Sequence, residues 1–348
     1  MTSPIKRLMI TRSTSVKHTP KWQTELAHVI SDPAELLRRL SLDSALLPAA
    51  QRAARLFPLR VPEGFIARMK PGDVNDPLLR QILPLDVEYD AAPGFAADPV
   101  GDLDAMPVPG LLHKYHGRVL LIATGACAVH CRYCFRRHFP YGEAQASRDL
   151  GRAALDYIAA DSSIREVILS GGDPLSLNDR RLTGLMSRIE VIAHVQRLRI
   201  HTRLPVVLPE RVDDALLNWL QSGRLKKIVV IHANHANEID RAVAGALNRL
   251  AKGGATLLNQ SVLLRGVNDS VEALRSLSEA LFAAGVLPYY LHQLDKVQGA
   301  AHFDVSAQCA TVLLRELNDR LPGYLVPRLV VEQAGALSKT PVIIHMAL

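Results

Sequence analysis

The stretch that decides the fold is RVLLIATGACAVHCRYC, residues 118–134, in which an apolar run leads directly into three cysteines. The run at 118–124 has the nearly continuous apolar character of a strand that is buried on both faces, as in a parallel sheet. Cys127, Cys131 and Cys134 follow it, separated by three residues and then by two. We therefore expect a cysteine loop at the end of a buried parallel strand.

The alternation of strand and helix continues along the chain. Five more apolar runs predict strands at 165–172, 197–203, 226–233, 255–264 and 287–294. Apolar residues at helical spacing predict helices at 147–160, 180–195, 237–254 and 269–285. Strands that alternate with helices indicate a parallel α/β architecture. The periodicity leaves open whether the sheet is flat and open or forms a partial barrel.

Residues 1–108 have a different character, and we expect a helical and irregular lead-in there. The segment 41–57 carries apolar residues at helical spacing, with Ser41 or Asp43 as its N-cap. Segments rich in proline and glycine at 70–77 and 91–101 predict loops.

Unusual polar and glycine residues follow the ends of successive predicted strands. After the cysteines of the first strand come, on the next three strands, Gly171, Gly172, Asp173, His201, Arg203, His232 and Asn234. Because parallel strands present their C-terminal ends at one edge, where α/β proteins build their sites, these residues are expected to share one site.

The cysteine spacing indicates a metal site. Three of the four cysteines fall within eight residues, which in a reducing compartment favours metal binding over disulfides. Three thiolates would leave one iron of a four-iron cluster open to a small ligand. The alternative is a zinc site with His130 or His138 as the fourth ligand. Cys309 lies in a predicted helix, and we expect it to be a buried apolar side chain there.

Composition excludes several classes of protein. With 348 residues, 48% hydrophobic and 22% charged, the chain is neither disordered nor a disulfide-stapled miniprotein. It lacks an apolar stretch of ~18 residues and a secretory signal, so we expect a soluble, cytoplasmic protein without a membrane partner. The net charge is +7, but scattered basic residues and 5% aromatic residues argue against a nucleic-acid partner.

Six longer segments carry a family resemblance: CAVHCRYCFRRHF (127–139), LSGGDPLSLND (169–179), HTRLPVVLPERV (201–212), HANHANEI (232–239), LNQSVLLRGVND (258–269) and PYYLHQLD (288–295). Over about residues 70–345 the chain resembles the radical S-adenosylmethionine superfamily and, within it, the lysine 2,3-aminomutase family. The resemblance implies a radical SAM partial (β/α)6 barrel with an N-terminal helical extension. It implies an extension at 1–108, a core domain at 109–325 and a C-terminal segment at 326–348.

The same resemblance implies three cofactors. Cys127, Cys131 and Cys134 match the ligands of a [4Fe–4S] cluster whose open iron binds S-adenosylmethionine. Lys339, in the C-terminal segment, matches the lysine that binds pyridoxal 5′-phosphate (PLP) covalently. Tyr115 and Arg118 match the segment lining the PLP pocket. Further cofactor contacts are implied for Gly171, Gly172, Asp173, His201, Arg203, His232 and Asn234.

For the substrate, the resemblance implies that Arg136 pairs with a carboxylate while Asp295 and Glu332 hold a side-chain ammonium. Glu332 stands where the family usually has aspartate. The implied activity is that of an L-lysine 2,3-aminomutase that makes β-lysine, with an external electron donor. The chain is most similar to short members linked to elongation factor P and its lysyl ligase. The alternatives are an aminomutase for arginine or ornithine, or a zinc-binding protein associated with nucleic acid.

Overall fold

The computed structural model describes residues 19–144 and 151–342. The first 18 residues of the predicted lead-in, the start of the helix predicted at 147–160 and the last six residues of the predicted C-terminal segment lie outside the described residues.

The described strands form a single sheet whose order in space follows their order in the chain. The strands are β1 (Leu111–Tyr115), β2 (Arg118–Thr124), β3 (Glu166–Gly171), β4 (Arg197–Thr202), β5 (Lys226–Ile231), β6 (Thr256–Val262), β7 (Leu287–His292), β8 (Arg328–Val331) and β9 (Thr340–Pro341). Strands β2 to β8 are parallel, whereas β1 and β9 run antiparallel to their neighbours at the two edges.

The sheet is a partial barrel. Its two edge strands, β1 and β9, pair with β2 and β8 and not with each other in the described structure, so the barrel stays open. Residues from β1 through to the start of β9 nevertheless line one cavity, which requires the sheet to curve around it. The predicted fold class is therefore confirmed.

Helices cover the outside of the sheet and build the N-terminal region. In the described ranges they are α1 (Lys21–Ala27), α2 (Pro33–Arg39), α3 (Leu47–Leu56), α4 (Glu63–Ile66), α5 (Pro77–Arg80), α6 (Tyr141–Ala144), α7 (Arg152–Ala160), α8 (Asp179–Glu190), α9 (Leu204–Val207), α10 (Asp214–Gln221), α11 (Arg241–Lys252), α12 (Val271–Ala283) and α13 (Ala307–Arg320). None of the helices in this part of the chain has the length and apolar character to span a membrane.

The six predicted strands coincide with β2 to β7 within a few residues. The sequence did not reveal β1, β8 and β9, because each is short and is bounded by proline or glycine. A two-residue turn, His116 and Gly117, joins β1 to β2, and Gly117 has a φ of 73°. That left-handed conformation suits glycine in a tight hairpin.

Helix ends follow their caps. The helix predicted at 237–254 begins later than expected, because the Asp240 side chain accepts a hydrogen bond from the Val243 amide and so sets the first turn of α11. Ser270 caps α12 in the same way, by accepting a hydrogen bond from the Ala273 amide. Asp43, one of the two predicted caps, caps a 3₁₀ turn at 44–46 that precedes α3.

The prediction that Cys309 is buried is wrong. Cys309 lies in the first turn of α13, as a helical residue, but its side chain is exposed. The apolar face of α13 turns Ala310, Leu314 and Leu317 inward, and position 309 falls outside that stripe.

The N-terminal helices share a core with the barrel. Trp22 of α1 and Phe65 of α4 belong to the same cluster of buried side chains as Ile200 of β4 and Leu247 of α11. The N-terminal helices are therefore packed as part of the same core as the barrel.

Candidate active site

One cavity of about 450 Å³ lies at the C-terminal ends of the parallel strands. Its size is that of a typical small-molecule site. Of the residues predicted from the sequence, it is lined by Tyr115, Arg118, Cys127, Cys131, Cys134, Arg136, Gly171, Gly172, Asp173, His201, Arg203, His232, Asp295, Glu332 and Lys339. Asn234 does not line it.

The cysteine loop forms one wall of this cavity. Burial raises the pKa of the Cys127 thiol well above its ordinary value, and the neighbouring Cys134 adds to the shift. Burial also raises the pKa of Cys134 to about 11, with a further contribution from Cys131. The thiols are thus close enough to oppose one another's ionisation, and a cationic metal centre would relieve that opposition.

The two histidines considered as zinc ligands face away from the cysteines. His130 stacks on Phe57, and its Nδ1 lies 2.8 Å from the carbonyl oxygen of Pro58. His138 Nε2 lies 3.2 Å from the carbonyl oxygen of Gln298. Across residues 19–144 and 151–342, no three His, Cys, Asp or Glu side chains form a closed site for a single metal ion.

The glycine turn after β3 packs against the cysteine loop. A Cβ atom on Gly172 would lie 2.5 Å from the carbonyl oxygen of Ala126, and one on Gly171 would lie 2.7 Å from that of Thr124. The Gly172 amide donates to Thr124 O at 2.7 Å. The absence of side chains therefore lets the turn and the loop form one rigid rim.

Asp173 ties this turn to the next strand. Its carboxylate accepts hydrogen bonds from the Thr202 hydroxyl and from the amides of Leu175, Arg203 and Leu204. Burial raises its pKa even though these four donors favour the charged form. Asp173 thus organises the rim of the cavity through its hydrogen bonds.

A buried polar network supports the cysteine loop from behind. Arg203 Nη1 lies 2.7 Å from Cys131 Sγ, and Arg203 Nη2 pairs with Glu238 at 2.9 Å. Asn234 Nδ2 donates to the Tyr133 hydroxyl at 2.7 Å within this network. Asn234 therefore lies behind the cavity wall, where it holds Tyr133, and its predicted contact with a cofactor stays a prediction.

On the wall of the same cavity, Glu332 is held between two lysines. Its carboxylate lies 2.6 Å from Lys339 Nζ and 3.1 Å from Lys114 Nζ. Burial alone would raise the pKa of Glu332, but the two ammonium groups outweigh it and lower the pKa to about 2. Glu332 is therefore ionised near neutral pH.

Asp295 lies near this cluster without an ion-pair partner among the described residues. Burial raises its pKa to about 7, and the negative charge of Glu332 adds to the rise, which Lys339 and Lys114 partly offset. A ligand ammonium beside Asp295 would favour its charged form.

Arg136 lies on the wall between the cysteines and the lysines. Its Nε donates to Asp102 Oδ2 at 2.7 Å, and its Nη1 donates to the Ser170 hydroxyl at 3.3 Å. Asp102 also pairs with Lys114 Nζ at 2.6 Å. A guanidinium carries five N–H donors, so Arg136 keeps three that have no partner in the described structure.

Several buried polar atoms at the cavity lack partners within the described ranges. They include Arg203 Nε, His201 Nε2 and His292 Nε2. Burial lowers the pKa of His201 and His292 well below the ordinary value, so both rings are neutral. Unsatisfied buried polar atoms are rare in proteins, so these atoms indicate the positions of polar ligand groups.

Sequence reasoning missed Asp102, Lys114 and His292. Lys114 and His292 lie inside segments that the resemblance covers, one residue before Tyr115 and three before Asp295. Asp102 stands in a loop rich in proline and glycine, and no local pattern marks it.

The chain is similar to several known proteins. The model of the radical SAM superfamily matches residues 121–280. The L-lysine 2,3-aminomutase of Escherichia coli is 53% identical, over 92% of this chain and 94% of that protein. The Haemophilus influenzae enzyme of the same name is 49% identical over 93% and 96%. That of Clostridium subterminale is 35% identical over 92% and 77%. A radical SAM methyltransferase from Sphaerobacter thermophilus has a TM-score of 0.45 and 18% identity over 65% and 69%.

The cysteine loop at the barrel rim and the superfamily match define the chain as a radical SAM protein. With relatives of 53% and 49% identity over nearly their whole length, it belongs to the L-lysine 2,3-aminomutase family. Membership implies a [4Fe–4S] cluster and S-adenosylmethionine, and for the aminomutases PLP. The three thiols, the unpartnered polar atoms and Lys339 on one cavity fit these groups.

Proposed function

We propose that the chain is an L-lysine 2,3-aminomutase, an isomerase that moves the amino group of L-lysine from C2 to C3 and gives β-lysine. One observation carries this proposal: the Arg136 guanidinium and the carboxylates of Asp295 and Glu332 line the same cavity. Lysine presents a carboxylate and a distant ammonium, which match these two groups. The names of the relatives at 53% and 49% identity support the same activity.

Cys127, Cys131 and Cys134 would hold the [4Fe–4S] cluster, and Lys339 would bind PLP covalently. When bound with S-adenosylmethionine, these cofactors supply a hydrogen-abstracting radical and a π-system that delocalises the unpaired electron. Gly171 and Gly172 would support the cofactors indirectly, because their lack of side chains lets the turn pack against the backbone of Thr124 and Ala126 in the cysteine loop.

Tyr115 and Arg118 would line the PLP pocket, with Arg118 Cζ 4.7 Å from the centre of the Tyr115 ring. Burial lowers the pKa of His232 to about 3, and it lowers that of His201 as well. Their neutral rings can donate or accept a hydrogen bond without adding charge to the site. Arg203 and Asp173 would support the cofactors from the rim.

The substrate would be oriented by charge at both of its ends. Arg136 keeps free N–H groups for a bidentate pair with the carboxylate. Asp295 and Glu332 would compensate the side-chain ammonium, which would be costly to bury alone. The enclosed walls would keep water away from reactive intermediates.

The finer biological setting is also part of the proposal. The resemblance of the quoted motifs to short family members supports β-lysylation of elongation factor P as the use of the product, with a lysyl ligase downstream. It also supports an external electron donor and a cytoplasmic setting. We propose domain bounds of 1–108, 109–325 and 326–348, supported by the start of the sheet at Leu111.

A second candidate is a 2,3-aminomutase for arginine or ornithine. It is favoured by Glu332, which is one methylene longer than the aspartate usual in the family and would change the depth of the ammonium site. A zinc-binding protein associated with nucleic acid is less well supported, since His130 and His138 bond to backbone carbonyls away from the cavity.

The test is an anaerobic assay of protein reconstituted with iron and sulfide, supplied with PLP, S-adenosylmethionine and dithionite. Incubation with L-lysine is expected to give β-lysine by mass spectrometry. Arginine and ornithine run in parallel should give slower turnover. Absence of β-lysine, with the cluster shown intact by iron analysis and electron paramagnetic resonance, would overturn the proposal.

A further inference from the structure

The loop before β1 carries a buried carboxylate that holds a substrate-facing group of the cavity. Asp102 has an exposed fraction of only 2%, although it stands in a loop and not in a helix or strand. One of its oxygens accepts from Arg136 Nε at 2.7 Å, and the other pairs with Lys114 Nζ at 2.6 Å. Both oxygens are thus committed to cations that line the cavity.

The contact with Arg136 is made through Nε, which leaves the outer edge of the guanidinium available. Ser170 takes one Nη1 hydrogen at 3.3 Å. The remaining Nη1 hydrogen and the Nη2 hydrogens have no partner in the described ranges, and Arg136 lines the cavity. A carboxylate ligand binds a guanidinium best by two parallel N–H bonds. Asp102 therefore fixes the plane of the Arg136 guanidinium and leaves free the edge that would bind a ligand carboxylate.

Lys114 anchors Asp102 in return. Its ammonium has three acceptors: Asp102, Glu332 at 3.1 Å and the carbonyl oxygen of Val100 at 2.8 Å. Three acceptors use all of its donors, so Lys114 has none left for a ligand. The backbone amide of Asp102 is held by Asp98 at 3.0 Å, which fixes the loop as well. The position of the Asp102 carboxylate is thus set from three sides.

We propose that Asp102 is a positioning residue for substrate recognition: it orients Arg136 toward the substrate carboxylate and is itself held by the Lys114–Glu332 pair. This inference rests on the proposed function for the identity of the substrate. Asp102 does not touch the ligand in this arrangement and acts through Arg136. A carboxylate that only neutralised Lys114 would have no reason to discriminate among ligands.

The test compares L-lysine with L-lysinamide, which lacks the carboxylate that Arg136 would bind. Both are titrated into protein reconstituted with cluster and PLP, without S-adenosylmethionine, so that binding is measured in the absence of turnover. The wild type is expected to prefer lysine by on the order of a hundredfold. Asp102→Asn should reduce that preference by about tenfold or more, while the affinity for lysinamide changes by less than about twofold.

Asp104→Asn is the matched control, because Asp104 is an exposed carboxylate of the same loop. It should keep the wild-type preference. If Asp102→Asn does not fold, Asp102→Glu decides by the same comparison: its displaced carboxylate should give a preference between those of the wild type and Arg136→Gln.

Two results would overturn the inference. The Asp102 variant could keep the full preference for lysine over lysinamide, or it could lower the affinities for both ligands by the same factor. Wild-type turnover is measured in parallel. If the wild type makes no β-lysine but the preference depends on Asp102, the proposed function fails and the positioning role stands. If β-lysine is made and the preference for lysine is the same in the Asp102 variants as in the wild type, only the positioning role fails.

Discussion

Lys339 Nζ lies 2.6 Å from Glu332 Oε2, across the short antiparallel pair formed by β8 and β9. The register sets this contact, because Val331 is opposite Thr340 and the residues flanking that pair come face to face. The hairpin of β8 and β9, at the open edge of the barrel, thus places Lys339 and its counter-ion Glu332 at the cavity. The C-terminal segment thus takes part in the site through two residues, Glu332 and Lys339.

The first prediction concerns Lys339→Ala. The variant is expected to lose β-lysine formation entirely, because the proposed covalent attachment of PLP needs this amine. It should keep the iron content of the wild type, since Lys339 Nζ pairs with Glu332 and bonds to none of the three cysteines in the described structure. Borohydride reduction followed by peptide mass spectrometry should find the PLP adduct on Lys339 of the wild type.

Lys296→Ala is the control for Lys339, because Lys296 is an exposed lysine next to Asp295. It should keep both the adduct and turnover. A reduced adduct on any other lysine, or turnover in Lys339→Ala, would contradict the assigned role.

The second prediction concerns the cysteine loop. Cys131→Ala is expected to lose most of its iron and all turnover, because two thiolates cannot retain a cluster that normally uses at least three. Cys309→Ala is the matched control, since Cys309 is exposed on α13. It should retain wild-type iron content and absorbance. A Cys309 variant that loses the cluster would instead identify that residue as a fourth ligand.

The third prediction is a pH dependence from Asp295. Its pKa is about 7, whereas that of Glu332 is about 2, so Asp295 alone of the pair changes charge near neutrality. Only the ionised carboxylate attracts the lysine ammonium. We therefore expect kcat/KM for lysine to rise by about tenfold per pH unit below 7 and to level off above 8.

Two variants check this assignment. Asp295→Asn should have a lower kcat/KM and no inflection near pH 7. Glu332→Gln removes a negative charge that raises the Asp295 pKa, so any remaining inflection should move to lower pH. An inflection that persists unchanged in Asp295→Asn belongs to another group.

The same shift affects stability with a definite sign. The folded pKa of Asp295, about 7, lies above its ordinary value of 3.8, so the folded state holds the proton more tightly. The contribution of Asp295 to the free energy of unfolding is therefore largest below pH ~4 and declines as the pH rises through about 7. Chemical denaturation of the wild type and of Asp295→Asn at pH ~4 and above pH ~7 measures how the difference in their free energies of unfolding changes with pH.

The fourth prediction concerns the glycine turn. In Gly172→Ala the new Cβ would meet the backbone of the cysteine loop at 2.5 Å from Ala126 O. The free energy of unfolding should fall by about 3 kcal/mol and the iron content should drop, because the loop must shift.

Gly245→Ala is the control for the turn, since Gly245 is an exposed residue of α11 and a Cβ there would meet nothing within 4 Å. It is expected to raise the free energy of unfolding by about 1 kcal/mol through helix propensity. Thermal unfolding and iron analysis of both variants test the contrast. Equal behaviour of the two would mean that the turn is not rigid.

The parallel strands could be predicted because each carries apolar residues between polar or glycine-bearing segments. Only β3 is buried along nearly its whole length, however, and β2, β4 and β6 alternate more buried with more exposed residues along most of their length because one face of the sheet lines the cavity. The edge strands β1, β8 and β9 could not, because each has five residues or fewer and lies next to proline or glycine. The hairpin that brings Lys339 to Glu332 cannot be predicted without the pairing of β8 with β7 and β9. Residue patterns alone make Lys339 an ordinary lysine.

The charged residues of the site could likewise be predicted only in part from the sequence. Arg136, Asp295 and Glu332 were named from a resemblance, whereas Asp102 carries no local signal, since its partners come from β1 and from the cysteine loop. The sequence predicts Asn234 as a site residue because it follows a strand end. Its side chain points instead into a network that a sequence pattern cannot distinguish from a ligand contact.

The ion pairs at the cavity form one line of alternating sign: Arg136, Asp102, Lys114, Glu332 and Lys339. Neutralising any member leaves a neighbour with excess charge, so substitutions along this line will not combine additively. A second substitution that restores the balance can be less harmful than the first alone. Homologues that have changed one of these residues are therefore expected to differ at its neighbour as well, so that the five positions evolve as a unit.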